Sequence, residues 1–114
     1  MSPITTHILD TALGRPAANV EVTLENRDDQ GTWQTLGKGK TDDDGRLKTL
    51  IQDASAFASG TYRLNFAIKS YLESQERKVF FPEVSLTFFV SNPDEHYHVP
   101  LLLSDFSYST YRGS

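Results

Sequence analysis

Apolar and polar residues alternate with period two along much of the chain. Val20, Val22 and Leu24 alternate with Glu21, Thr23 and Glu25. Tyr62, Leu64, Phe66 and Ile68 alternate with Thr61, Arg63, Asn65 and Ala67, and Val84, Leu86, Phe88 and Val90 with Ser85, Thr87, Phe89 and Ser91. Successive side chains of a strand point to opposite faces, so each run predicts a strand with one face on a core and one in water. Gly14-Arg15-Pro16, Asp44-Gly45, Ser59-Gly60 and Asn92-Pro93 supply the turns between them. Seven or eight short strands at this spacing predict an all-β fold, a two-sheet antiparallel sandwich. Residues 69–77 break the rhythm: Tyr71, Leu72, Glu73, Gln75 and Glu76 occur without Gly or Pro and predict a short helix, which Pro82 keeps from extending. No repeat or linker interrupts the chain, so one domain over 1–114 is expected. Pro100, inside the strand pattern of 96–104, lacks a ladder donor and predicts a bulge, an interruption or an edge there.

The 114 residues suit one ordinary domain, and the net charge of −4 lacks the basic surplus of a dedicated nucleic-acid binder. The absence of cysteine excludes disulfides, thiolate chemistry and Cys-ligated zinc. The apolar run Val99-Pro100-Leu101-Leu102-Leu103 is far short of the roughly 20 residues of a membrane-spanning helix. No signal peptide is visible in Met-Ser-Pro-Ile-Thr-Thr-His, so a cytoplasmic protein without membrane contact is expected, although a chain trimmed of its leader would read the same.

Gly37-Lys38-Gly39-Lys40-Thr41 imitates a phosphate loop, but Gln34 stands where its first glycine is required, and no helix pattern follows. An exposed polar strand is the better reading. His96 and His98 put two imidazoles on one strand face, a geometry that can serve a metal only with a third ligand such as His7, Asp94 or Glu95. Without a second tight motif, hydrogen-bonded histidines are the simpler account, and no metal or cofactor is expected. No Gly-x-Ser-x-Gly elbow occurs. Imidazoles, guanidinium groups and hydroxyls remain, an inventory suited to general-base activation of water and stabilisation of an oxyanion. Asp42-Asp43-Asp44-Gly45-Arg46 and the hydroxyl-rich tail 109–114 are the stretches least explained as scaffold.

Four separated motifs carry a resemblance over essentially the whole chain. Thr6-His7-Ile8-Leu9-Asp10-Thr11-Ala12-Leu13-Gly14-Arg15-Pro16-Ala17 resembles the N-terminal signature of the transthyretin-related proteins, and Asp44-Gly45-Arg46 their arginine-bearing turn. Lys78-Val79-Phe80-Phe81-Pro82 and His96-Tyr97-His98-Val99-Pro100-Leu101-Leu102-Leu103-Ser104 resemble their C-terminal half. Tyr111-Arg112-Gly113-Ser114 is similar to the tetrapeptide that ends the 5-hydroxyisourate hydrolases and is absent from the hormone carriers. Asp42-Asp43 and Asp105-Phe106 depart from the family pattern.

The resemblance implies two four-stranded sheets with one short helix after the fifth strand. It also implies a homotetramer, a dimer of dimers, with paired sites in the channel where the dimers meet. The implied activity is opening of the six-membered ring of 5-hydroxyisourate in urate degradation. Carried over by motif, His7, Arg46, His98 and Ser114 are the expected catalytic residues, and Tyr111, Arg112 and Gly113 join them in binding substrate. His7 and His98 would orient and deprotonate water, with the proton acceptor of the two left open. Arg46 would bind ureide oxygens or the oxyanion. The tail would close the pocket, with Arg112 anchored on an acidic partner and Gly113 allowing a tight turn. The alternative is a transthyretin-like carrier of a planar small molecule. An immunoglobulin-like adhesion domain lacks support, since there is no paired-Cys core and Trp33 lies in a polar strand.

Overall fold

The computed structural model describes residues 3–51, 53, 55 and 57–113. Among them run β1 (Ile4–Asp10), β2 (Arg15–Pro16), β3 (Glu21–Arg27), β4 (Trp33–Lys40), β5 (Arg46–Leu47), β6 (Gly60–Ala67), α1 (Lys69–Glu73), β7 (Val84–Val90), β8 (Tyr97–Leu103) and β9 (Tyr108–Thr110). One sheet is antiparallel throughout, in the order β4-β3-β6-β7. The other runs β2-β1-β8-β9, with β5 also paired to β1.

The period-two runs become strands whose apolar side chains meet between the sheets. Ile4, Ile8, Leu101 and Leu103 from one sheet, and Val22, Leu24, Leu64 and Phe66 from the other, are completely buried. Each such side chain contributes about 1.5–3 kcal/mol relative to exposure. Phe89 takes the opposite face of β7 and is 64% exposed, as its phase demands. The stretch that imitates a phosphate loop lies in and just after β4, which is mostly exposed. Gly37 is needed there because a Cβ would collide with the carbonyl of Leu50.

Three features differ from the sequence reading. Nine strands occur among the described residues, because Arg15–Pro16 adds a two-residue strand; the helix consequently follows the sixth strand, and one sheet has five members. The helix stops at Glu73 rather than reaching residue 77, because Glu76 adopts φ 57° and the Arg77 N–H turns back to the Leu72 carbonyl. That left-handed stop is one that glycine usually provides. Finally, the centre of the five-stranded sheet is parallel: β1 and β8 pair in register from Ile4 opposite Tyr97 to Asp10 opposite Leu103.

Pro100 sits in that parallel ladder opposite His7 without a shift. Its interruption falls on the other side. The Gly113 N–H donates to the His98 carbonyl, so His98, and by alternation Pro100, turn their backbone groups toward the last strand. Pairing there stops at Leu101 opposite Thr110 and resumes only as a bridge at His98 opposite Gly113.

Candidate functional site

Alternation along β1 buries Ile4, Thr6 and Ile8 inward and turns Thr5 and His7 to the outer face. One edge of β1 is lined by β8, which places His98 beside Thr5 and Pro100 beside His7. The opposite edge is shared. β5 pairs at Thr6 and His7, while β2 takes Leu9 and Asp10. Arg46 therefore lies abreast of His7. Gly45 makes this possible, with φ 75° and a backbone so close to β1 that a Cβ would lie 2.5 Å from the Ile8 carbonyl oxygen. Asp42 holds the turn by accepting from the Asp44 and Arg46 amides at 2.9 and 3.0 Å. The register thus brings Arg46, His7 and His98 to one face of one sheet, all half-buried.

Burial disfavours a charged imidazole, and Arg46 adds a positive charge nearby. Together they hold His98 below the ordinary 6.5, with His7 and His96 adding to the effect. His7 is lowered by the same two causes, opposed by the Asp44 backbone and by the charges of Asp42 and Asp44. Both rings are therefore neutral at neutral pH, the state in which an imidazole accepts a proton. The Arg46 guanidinium has no carboxylate partner among the described residues, unlike Arg63, Arg77 and Arg112. A half-buried guanidinium in no contact ion pair among the described residues, beside two neutral imidazoles, is suited to bind a flat, acceptor-rich molecule. Among the described residues, no group of three His, Asp or Glu is arranged to hold a metal ion.

The sequence profile of the HIUase/Transthyretin family matches residues 4–113. The chain belongs to that family. It is 50% identical over 111 residues to the 5-hydroxyisourate hydrolase of Salmonella dublin, covering 97% of this chain and 80% of that one. Sea bream transthyretin, solved in complex with thyroxine, superimposes with a TM-score of 0.90 at 33% identity, over 97% of this chain and 94% of its own. An (S)-allantoin synthase superimposes with a TM-score of 0.88 at 37% identity over 97% of this chain, which spans 43% of that protein's length. A thyroxine complex and a synthase share this backbone almost equally well, so within the HIUase/Transthyretin family the side chains must distinguish one member's chemistry from another's.

The two departures from the family pattern have structural partners here. Asp42 organises the Arg46 turn, and Asp105 accepts from Arg77 at 2.6 Å. In the tail, Arg112 donates to Glu95 at 2.9 Å and lies 4.3 Å over the Tyr97 ring, which is the acidic anchor expected of it. Gly113 does not make a tight turn. Its backbone is bridged to His98, and a Cβ would lie 2.6 Å from His98 Cδ2, so glycine is there to let the imidazole lie against the chain. Tyr111 is 57% exposed and follows the last residue of β9. Ser114 lies outside the described residues.

Sequence reasoning missed Thr5, whose Oγ1 lies 2.8 Å from His98 Nδ1 and 3.1 Å from His96 Nε2. The i, i+2 spacing of Thr5 and His7 was the one signal of it. The parallel pairing that brings His98 to Thr5 has no local signature.

Proposed function

We propose that this chain is a cofactor-free hydrolase. It opens the six-membered ring of 5-hydroxyisourate to 2-oxo-4-hydroxy-4-carboxy-5-ureidoimidazoline in urate degradation. The observation that carries the reading is the Arg46 guanidinium, which forms no ion pair with a carboxylate among the described residues, on the same sheet face as two imidazoles held neutral. The 50% identity to a 5-hydroxyisourate hydrolase supports the same substrate.

In this reading water adds to the amide carbonyl of the six-membered ring. The new C–O bond forms as an imidazole of the His7–His98 pair takes the water proton, a contribution of roughly 10² to 10⁴ in rate. Arg46 donates to the oxygen on which negative charge gathers. When the C–N bond breaks, the proton held by the imidazole passes to the leaving nitrogen, and the base is restored. Tyr111, Arg112, Gly113 and Ser114 close the site around the substrate. The decisive experiment generates 5-hydroxyisourate in situ from urate and follows its ultraviolet decay. Decay no faster than the spontaneous rate rejects the hydrolase.

The likeness to a thyroxine-bound transthyretin favours a second reading, a carrier of a planar ligand. A carrier channel calls for apolar lining and has no use for His7, His98 and Arg46 together. Saturable thyroxine binding without hydrolysis would select it.

The same proposal takes residues 1–114 as one transthyretin-like domain acting in the cytoplasm as a homotetramer, a dimer of dimers. Among the described residues no helix is long and apolar enough to cross a membrane. β7 and β9 are outer strands of the two sheets, and Phe89 on β7 is largely exposed. Such open edges invite pairing with another copy. A monomer in sedimentation at micromolar concentration would remove the assembly and the walls of a shared site.

A further inference from the structure

One hydroxyl in this site serves two imidazoles. Thr5 is only 5% exposed, and its Oγ1 lies within hydrogen-bonding distance of His98 Nδ1 and His96 Nε2. The two rings are 6.5 Å apart and 25° from parallel. A hydroxyl has a single proton to donate and lone pairs with which to accept. Two arrangements satisfy both contacts. In the first, His96 Nε2 carries no proton; Thr5 donates to it and accepts the Nδ1–H of His98. A neutral His98 then has a free lone pair on Nε2. In the second, His96 Nε2 carries a proton and donates it to Thr5. The hydroxyl now turns its proton to His98 Nδ1, and a neutral His98 must keep its own proton on Nε2.

We infer that Thr5 is a positioning residue that sets the tautomer of His98, and that the exposed His96 controls this setting through the shared hydroxyl. The inference rests on the reading of His98 as a base facing the substrate. His98 Nε2 has no hydrogen-bond partner among the described residues, so it is the ring nitrogen left for water. Protonation of His96 then withdraws the base without adding a proton to His98. The only change is which ring nitrogen of His98 bears the proton, exchanged through solvent. The other groups acting on His98 are Arg46 from β5 and His7 from β1. Beside His96, Glu95 and Arg112 pair with each other at 2.9 Å. None of them stands between the two rings as Thr5 does.

The test uses nitrogen-15 NMR of the histidine rings in the full chain without substrate, followed by the pH dependence of kcat/KM. In the native protein above neutral pH, His98 should carry its proton on Nδ1, and neutral His98 should move it to Nε2 as His96 becomes imidazolium. Thr5→Ser should retain this response, while Thr5→Val and His96→Ala should abolish it. The acid limb of kcat/KM should be steeper than one proton in the native enzyme and in Thr5→Ser. It should be shallower by one proton in Thr5→Val and His96→Ala, with kcat in Thr5→Val reduced about tenfold and KM changed less than about twofold. His96 is exposed, so its variant carries the test if Thr5→Val fails to fold. A His98 tautomer that is identical in all four proteins at every pH overturns the inference, even if His98→Asn is inactive. Coupled tautomers together with a fully active His98→Asn would uphold the coupling and overturn the reading of His98 as the base.

Discussion

Strand β1 carries two polar centres, His7 and Asp10, and the fold completes one and leaves the other open. Asp10 is fully buried. Its carboxylate accepts from the Tyr71 hydroxyl at 2.7 Å, from Arg77 at 2.5 and 3.3 Å, and from the Leu13 amide at 3.2 Å. Arg77 in turn reaches Asp105 at 2.6 Å, so this cluster ties the end of α1 and the β8–β9 turn to β1. Burial alone would raise the Asp10 pKa, but the hydrogen bonds from Arg77 and Tyr71 outweigh it and hold the carboxyl below its ordinary 3.8. Around His7 the pattern is reversed: among the described residues Arg46 pairs with no carboxylate and His98 keeps one ring nitrogen unpartnered, and all three side chains are half-buried. A buried charge with every hydrogen bond filled holds a chain in place. A charge left without its partner is available to a substrate.

The comparison breaks most sharply at His98. Replacing His98 by Asn should lower kcat/KM by about two to four orders of magnitude while thermal unfolding changes little, since a polar side chain remains at a partly wet position. Stopped-flow decay of 5-hydroxyisourate and a melting curve on the same sample check both halves. A loss below tenfold would move the base to His7. Asp10→Asn should do the opposite: stability falls by about 3 kcal/mol, because the partly buried Arg77 loses its main counter-charge and keeps only Asp105. The kcat of the folded fraction should hold. Urea unfolding measures the first and active-site-normalised rates the second.

The difference between these centres was only half legible in the sequence. The core was readable because period two in 62–68 and 84–90 has no other physical meaning. His7 and Arg46 were named by motif, and His98 by its place in His96-Tyr97-His98. What escaped were contacts made by pairing distant segments. Thr5 meets His98 only because β1 and β8 run parallel, and parallel neighbours need no nearby turn to announce them. Asp42 and Asp105 looked like departures because their partners, the Arg46 amide and Arg77, are set by backbone turns. Residues 69–77 read as helix throughout because a left-handed Glu76 is unfavourable by local preference and is held there by the docking of Arg77.

Acid should separate the two centres without a mutation. His7 and His98 are held below 6.5 in the folded chain, so their neutral forms add stability above pH 6.5 that is lost as pH falls through their folded values. Catalysis needs the same neutral forms. Activity should therefore persist somewhat below pH 6.5 and then fall at least about tenfold per unit. Asp10 contributes stability present above pH 3.8 and lost only below it. Once these imidazoles are protonated, and while the pH stays above 3.8, the enzyme should be largely inactive yet folded, as circular dichroism would show. Unfolding in step with the loss of activity would merge the two centres into one.

The finest test of the contrast is a single methyl group. Gly113 has no positive φ, so alanine is conformationally permitted there. Its Cβ would nevertheless stand 2.6 Å from His98 Cδ2 and 3.4 Å from Cγ. The ring has little room to yield, because Thr5 holds Nδ1 on its other side. It must slide by several tenths of an ångström, carrying Nε2 with it, and a displacement of this size should cost about tenfold in kcat/KM. Gly14→Ala supplies the control. Gly14 has φ 69° and no atom within 4 Å of the place a methyl group would occupy, so the substitution should cost about 1 kcal/mol of stability through the backbone alone and leave the rate unchanged. A Gly113→Ala enzyme with native kcat/KM would mean that the imidazole adapts freely and that its position against the tail contributes nothing to the chemistry. A slower Gly14→Ala enzyme would show that backbone strain far from His98 is felt at the site.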